Sequence, residues 1–512
     1  MGNAAVTARI DPQTLAQAPL HPQLHVGSLH EQKKRILFVS SEFADLIKVG
    51  GLGDVSAALP RALMERHDVR LLIPGYPQVI NGGHPIRVVG EVAGMAALPP
   101  CKIGRMDLPD GLIVYVLLNP ELYERDGTPY GDPHGRDWAD NHIRFARLGL
   151  AAAEIASGTA CIRWCPELVH ANDWPSAMAP AYMAWRKVGT PTVLTIHNLA
   201  YQGLCDLQCN AELGIPAQAC DSEGMEFYGK LSFLKAGIVY ADHVTTVSRT
   251  YAQEITTPSF GCGLDGMLQA KVLAGQLSGI INGIDESWDP RNDSHLIQGF
   301  AANQWQGKRT NAEYVERLFG LEADGPLFAV VSRLVQQKGI DLTLGVAEEI
   351  VARGGRLAVI GRGEPELEAA MAELGRRHPG RIGVHVGFNE TDARRMFAGS
   401  DFLLMPSRFE PCGLSQMYAQ RFASLPIARR TGGLADTIED GVTGFLFDEP
   451  TVESYLEAIQ RAFSVYAHEK LLNAMRCRAM AAPPSWRQLV EPYDRLYQQL
   501  LGATRAVAAD PL

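Results

Sequence analysis

Ile36-Leu37-Phe38-Val39-Ser40-Ser41-Glu42, followed by Lys48-Val49-Gly50-Gly51-Leu52-Gly53-Asp54, decides the fold of this chain. Four successive apolar residues, entered from the charged run 31–35, read as a buried strand. The glycines make a loop, and the spaced apolar positions of 55–64 read as a helix. Strand, glycine-rich loop and helix in that order open a doubly wound α/β unit.

The same alternation continues outward. Strands are predicted at 69–73, 112–118, 168–170, 192–196 and 244–247, with helices at 141–156 and in the second half of 225–241. A second series begins after Asn282. Its strands fall at 328–331, 357–360, 382–386, 402–405 and 425–428, and helices at 341–353 and 364–377 lie between them. The last helix, 485–501, follows Pro483-Pro484, where a break lets the chain return to its first domain. The expected fold is α/β: two facing Rossmann-like doubly wound domains with an interdomain cleft. The expected boundaries are a flexible tail at 1–33, a first domain at 34–282, a second at 283–480, and a returning helix at 481–504. One internal echo fits two similar halves. Lys48-Val-Gly-Gly-Leu-Gly-Asp54 and Arg430-Thr-Gly-Gly-Leu-Ala-Asp436 share a pattern, each after a strand and opening a helix.

Composition narrows the function. The chain has 512 residues, 46% apolar and 20% charged, enough to bury a sizeable core. Its 47 basic against 57 acidic residues give a net charge of −10, which argues against nucleic acid as the main partner. No apolar run reaches the ~18 residues of a membrane span. Residues 1–30 lack the charged start and apolar stretch of a secretory signal, and Val6 stands where a myristoylation site wants Ser or Thr. Nine cysteines without such a signal point to a reducing cytoplasm.

Candidate chemistry gathers at strand ends, where open α/β sheets bind ligands. Lys48 with Gly50-Gly51 suits an anion, through backbone N–H groups, a helix N-terminus and a full charge, but equally reads as a tight turn. Arg333 and Lys338 lie five apart on the loop after 328–331. They can clamp a diphosphate leaving group, or stand as two solvated cations. Glu410, in Arg408-Phe409-Glu410-Pro411-Cys412-Gly413-Leu414-Ser415, suits gripping sugar hydroxyls or answering a helix dipole, and the 413–415 amides suit phosphate. His197 reads as a sugar contact or a core histidine, and Asp173 as an acid/base, a sugar contact or a surface turn. Two dinucleotide fingerprints, Gly51-x-Gly53-x-x-Ser56 and Gly361-x-Gly363-x-x-Glu366, are broken at the third position, which disfavours a dehydrogenase. Cys161-x3-Cys165 and Cys205-x3-Cys209 lack finger spacing, so no metal is expected. No Asp-x-Asp stands at a strand end, and no Gly-x-Ser-x-Gly occurs.

Long blocks in order carry a resemblance. Residues 48–54 (KVGGLGD), 74–77 (PGYP), 130–145 (YGDPHGRDWADNHIRF), 169–174, 195–203 (TIHNLAYQG), 226–246, 281–285 (INGID), 332–339, 408–416 (RFEPCGLSQ) and 429–437 together resemble bacterial glycogen synthases and the related plant starch synthases. The resemblance covers about residues 35–500. It implies a GT-B type fold and transfer of glucose from ADP-glucose to the non-reducing end of an α-1,4-glucan, with retention and without cofactor or metal. Residue by residue, Lys48 looks like the family's phosphate-binding lysine, and Arg333 and Lys338 like its diphosphate clamp. Glu410 looks like its essential sugar-binding carboxylate, with Cys412 beside it. His197 and Asp173 look like the matching first-domain groups, and Gly51 and Asp54 like nucleotide-loop positions. Gly413, Leu414 and Ser415 join the substrate-binding set, Ser415 keeping the hydroxyl of a frequent Thr. Phe388 stands where many members carry Tyr and offers a face for adenine. Tyr418 takes the place where wider relatives show a second glutamate. The expected partners are ADP-glucose and a glycogen or α-1,4-glucan primer. A UDP-glucose-using synthase, a cofactor-borne phosphorylase and a non-catalytic nucleotide-binding homologue are the competing readings.

Overall fold

The computed structural model describes residues 33–322 and 324–509, with side chains through residue 503. What the sequence suggests for residues 1–32 lies outside the described residues. From Lys34 onward the chain forms one compact unit built on two large sheets.

The first sheet takes β1 (Lys34–Val39), β2 (His67–Pro74), β3 (Ile86–Val92), β4 (Cys101–Asp107), β5 (Ile113–Leu118), β6 (Leu168–Asn172) and β7 (Thr192–Ile196). After a small antiparallel sheet of β8 (Leu204–Asp206), β9 (Glu226–Phe227) and β10 (Lys230–Ser232), the chain adds β11 (His243–Thr246) and β12 (Leu277–Gly279). The order is β12-β11-β7-β6-β1-β2-β5-β4-β3. Its pairs are parallel from β12 to β5, and β4 and β3 close one edge antiparallel. The second sheet uses β13 (Leu327–Val331), β14 (Arg356–Gly361), β15 (Ile382–Val386), β16 (Phe402–Met405), β17 (Leu425–Arg429) and β18 (Phe445–Phe447). It is wholly parallel, in the order β15-β14-β13-β16-β17-β18. Central strands such as β6, β7 and β13 are buried along their whole length, as sheets covered on both faces require.

The predicted strands of both series are present, and the 141–156 helix has the predicted ends. The antiparallel edge was not foreseen. Only Val92 of β3 is buried and the register shifts between Val88 and Gly90, so the strand offers neither an apolar run nor clean alternation. The glycines of the second broken fingerprint pack against backbone. A Cβ at Gly361 would strike the Ser332 carbonyl, and one at Gly363 the Leu334 carbonyl. Ser56 holds its helix to β1 by an Oγ–Oγ hydrogen bond of 2.8 Å to Ser40, both buried.

The last helix, Trp486–Ala509, returns to the first sheet. Asp494 accepts from Arg66 (2.5 Å) and lies 3.0 Å from His67 Nε2. Tyr497 Oη lies 2.6 Å from His170 Nδ1. Tyr493 and Tyr497 are wholly buried in the core of the first lobe. Where the chain crosses between lobes its two passages run side by side, with Ile284 bridged to Ser485.

Candidate active site

Beyond the carboxyl end of β1, Glu42 organises the glycine-rich loop. One of its oxygens accepts the backbone N–H of Val49 (2.8 Å) and of Gly50 (3.0 Å). The other accepts the Tyr130 hydroxyl at 2.6 Å. Glu42 is buried, so these three donors balance a charge that would otherwise be costly. At the loop's tip Lys48 Nζ pairs with Asp54 Oδ1 at 2.7 Å. Burial raises the Asp54 pKa despite that partner, and Glu390 adds to the effect. Lys48 and Asp54 line an interlobe cavity of about 400 Å³ together with Glu390, Arg394 and Tyr418.

Beyond β6 and β7 stand Asp173 and His197. Asp173 adopts φ +56°, a strained backbone for a non-glycine residue. Its Oδ1 accepts the backbone N–H groups of His197 (2.8 Å) and Asn198 (3.2 Å), so the carboxylate ties the end of β7 to the end of β6. Burial pushes its pKa up to about 7 against those two donors. His197 Nε2 lies 3.0 Å from Asn172 Oδ1, and burial takes its pKa down to about 3, which keeps the ring neutral. His170, in β6 three residues before Asp173, is a core residue between Tyr497 and Thr195.

The second lobe sews its loops together around one ion pair. Gly339 takes φ +67°, and a Cβ there would strike the Pro406 carbonyl, so the 332–338 loop lies against the loop after β16. Arg408 clamps both sides of this seam. Its N–H reaches the Gln337 carbonyl at 2.8 Å and its guanidinium grips Asp341 through two 2.7 Å bonds. On the far side, Gln336 N–H donates to Glu364 (3.0 Å). These constraints set Lys338 Nζ on Glu410 Oε2 at 2.5 Å, with Ser407 Oγ donating to the same oxygen at 3.1 Å. Glu410 is 5% exposed. Arg333 donates to Gln337 Oε1 at 3.2 Å and pairs with no carboxylate among the described residues. Cys412 is buried, and its thiol pKa is pushed up to about 12, so it stays protonated beside Glu410.

The lobes meet at this loop. A Cβ on Gly51 would lie 3.6 Å from Leu414 Cδ1, which sets the first-lobe glycines against the 413–415 segment. Ser248 Oγ donates to the Pro411 carbonyl at 2.7 Å. Asp436, from the second glycine echo, accepts the N–H groups of Arg249 (2.6 Å) and Thr250 (3.1 Å) and the Thr250 hydroxyl (2.6 Å). Glu254 in turn accepts from Thr431 Oγ1 and Gly432 N.

The structure therefore joins Lys338 to Glu410, Lys48 to Asp54, and Asp173 to His197. Among the described residues, no hydrogen bond or ion pair links Lys48 to Arg333 or Lys338. Phe388, after β15, is 72% exposed. The sequence reading missed Glu42 as the loop's anchor, and Arg408, Ser248, Glu254 and Asp436 as the parts that hold the second-lobe loop. A polar Ser-Ser-Glu run directly after the β1 apolar residues is the one signal that points to Glu42.

Two lobes with parallel sheets, strand ends converging on a cleft, and basic groups beside a buried carboxylate define a glycosyltransferase of GT-B fold. A starch synthase catalytic domain model matches residues 35–270, and a glycosyl transferases group 1 model matches 317–479. The glycogen synthase of Pseudomonas syringae pv. tomato is 70% identical over 470 residues, 92% of this chain and 97% of that one. That of Pseudomonas aeruginosa is 64% identical over 497 residues, 96% of each. The solved catalytic domain of starch synthase IV from Arabidopsis thaliana, bound to ADP and acarbose, superposes with a TM-score of 0.81 at 29% identity. That match covers 92% of this chain and all of that one. The chain belongs to the glycogen synthase family, as its sequence blocks indicate.

Proposed function

We propose that the chain transfers glucose from ADP-glucose to the non-reducing end of an α-1,4-glucan, with retention, releasing ADP. The Lys338–Glu410 pair on the loop against which the first lobe closes carries this reading. In transfer from a nucleotide sugar, negative charge grows on the departing diphosphate, and preorganised cations lower that barrier. Arg333 has no acid partner to leave, whereas Lys338 and Lys48 must turn from Glu410 and Asp54 toward the phosphates. The trade releases Glu410 for the hexose hydroxyls, so donor binding and sugar orientation are coupled. The Gly413–Ser415 segment and the Gly51 loop face each other and supply backbone N–H groups for the same anion. Neutral His197 offers a ring nitrogen or its carbonyl to the sugar, held by Asp173.

Residues 34–282 with the 481–504 helix form the acceptor side in this scheme, and 283–480 the nucleotide-sugar side. Attack from the face of departure, with the leaving phosphate taking the acceptor's proton, gives retention without a protein nucleophile. Support for ADP as the nucleotide comes from the Arabidopsis relative, whose structure holds it. A cytoplasmic site of action accords with nine free thiols. No described helix is long and apolar enough to cross a membrane. The test is nucleoside diphosphate release from ADP-glucose or UDP-glucose in the presence of glycogen. ADP release that elongates the glucan is the expected result. Preference for UDP-glucose, or nucleotide binding without transfer, would overturn the reading.

A further inference from the structure

A cluster of potential metal ligands joins the segment after β8 to a helix of the first lobe. His142, near the start of the Asn141–Ala156 helix, meets Cys209 and Glu212 from the short turn that follows β8. One donor atom from each lies within 4.8 Å of the other two. His142 Nε2 and Glu212 Oε2 are 3.5 Å apart. Three features favour a cation over an ordinary polar patch. The donors are a thiol, an imidazole and a carboxylate, the set that a borderline-soft divalent ion selects. Their backbone is pinned in advance: Glu212 O accepts Ala97 N–H at 2.8 Å, Cys209 O accepts Leu213 N–H at 3.0 Å, and Leu213 O accepts the Tyr182 hydroxyl at 2.7 Å. The charged groups acting most on the Cys209 thiol, Glu212 and Asp206, are both negative.

We infer that His142, Cys209 and Glu212 form a site for a zinc-like divalent cation, the fourth position being filled by water. Binding replaces the Cys209 S–H bond with a metal–sulfur bond, and the proton leaves to solvent, so affinity rises with pH. The ion fastens the turn after β8 to the Asn141–Ala156 helix. That helix also carries Phe145, whose ring packs 4.7 Å from Trp174, the neighbour of Asp173. Its role is to brace the scaffold behind the first-lobe site, and no catalytic step passes through it. The spacing of cysteines in the sequence cannot show this site, because His142 comes from a distant helix.

The test uses the full chain, reduced, stripped with a chelator, and titrated with Zn²⁺ or Co²⁺ alone. One equivalent should bind, and Co²⁺ should give a thiolate charge-transfer band. Cys209→Ser should abolish the band, His142→Gln should weaken binding by at least about tenfold, and Cys477→Ser should change neither. Circular dichroism and retained transferase activity establish that the variants are folded. A band that survives Cys209→Ser, or parental affinity in folded His142→Gln, overturns the assignment.

Discussion

Replacing Glu42 by Gln tests how the glycine-rich loop is held. The carboxylate receives two backbone N–H bonds on one oxygen and the Tyr130 hydroxyl on the other. An amide keeps the shape. Its oxygen can still serve Val49 and Gly50, and its NH₂ can face Tyr130, whose hydroxyl then turns to Ser41 Oγ, 3.0 Å away. What disappears is the charge. A hydrogen bond to a charged group contributes about 1.5–3 kcal/mol, and a neutral one about 0.5–1.5. Two such bonds therefore lose about 2 kcal/mol together. If the loop must be ordered in the transition state, kcat/KM for the donor falls by up to about 30-fold. ADP release at varied donor concentration reads this directly, with thermal melting in parallel. Tyr130→Phe should cost less, because it removes one donor and leaves the loop amides paired. Glu42→Gln with kcat/KM within about twofold of the parent and unchanged melting would refute the reasoning, since that is the size of an unremarkable surface change.

Lys338→Ala and Arg333→Ala should each lower turnover by about a hundredfold or more, the loss of about 2–4 kcal/mol of leaving-group stabilisation, as read by ADP release. Asp173 has a folded pKa raised to about 7 from 3.8. Its contribution to stability is complete below pH 3.8 and is lost as pH rises through about 7, and urea midpoints across that window should flatten in Asp173→Asn. His170 runs the other way, from 6.5 down to about 3. Its contribution is complete above pH 6.5 and is lost as pH falls toward 3, so melting at pH 4 should improve relative to the parent in a folded His170→Asn. Asp436→Ala removes three bonds across the lobe interface and should lower both the melting temperature and turnover, by about 1–2 kcal/mol, while Asp436→Asn retains part of each.

Legibility followed the physics of each element. A buried parallel strand announces itself as an unbroken apolar run, so β16, Phe402–Met405, has the ends read from sequence. Edge strand β3 carries Gly90 and faces solvent, and left no such trace. Single residues at strand ends were readable as candidates because chemistry there needs charge or glycine. Their partners were not. The clasp of Lys338 by Glu410 depends on Gly339 and Arg408 drawing two loops together, and no local pattern encodes a contact between loops so far apart in sequence. The glycine echo was visible, but its meaning was not. The first copy points Lys48 into the cleft, whereas the second packs Gly432 and Gly433 against the 410–412 backbone and lends Asp436 to the other lobe.

The terminal helix has a consequence for biosynthesis. Trp486, Val490, Tyr493 and Tyr497 belong to the core of the lobe whose other parts are made first. During vectorial synthesis that lobe leaves the ribosome with a gap over His67 and His170, and the gap closes only when the helix that begins at Trp486 emerges. A nascent chain stalled before Trp486 thus carries an open apolar seam, a natural substrate for chaperones.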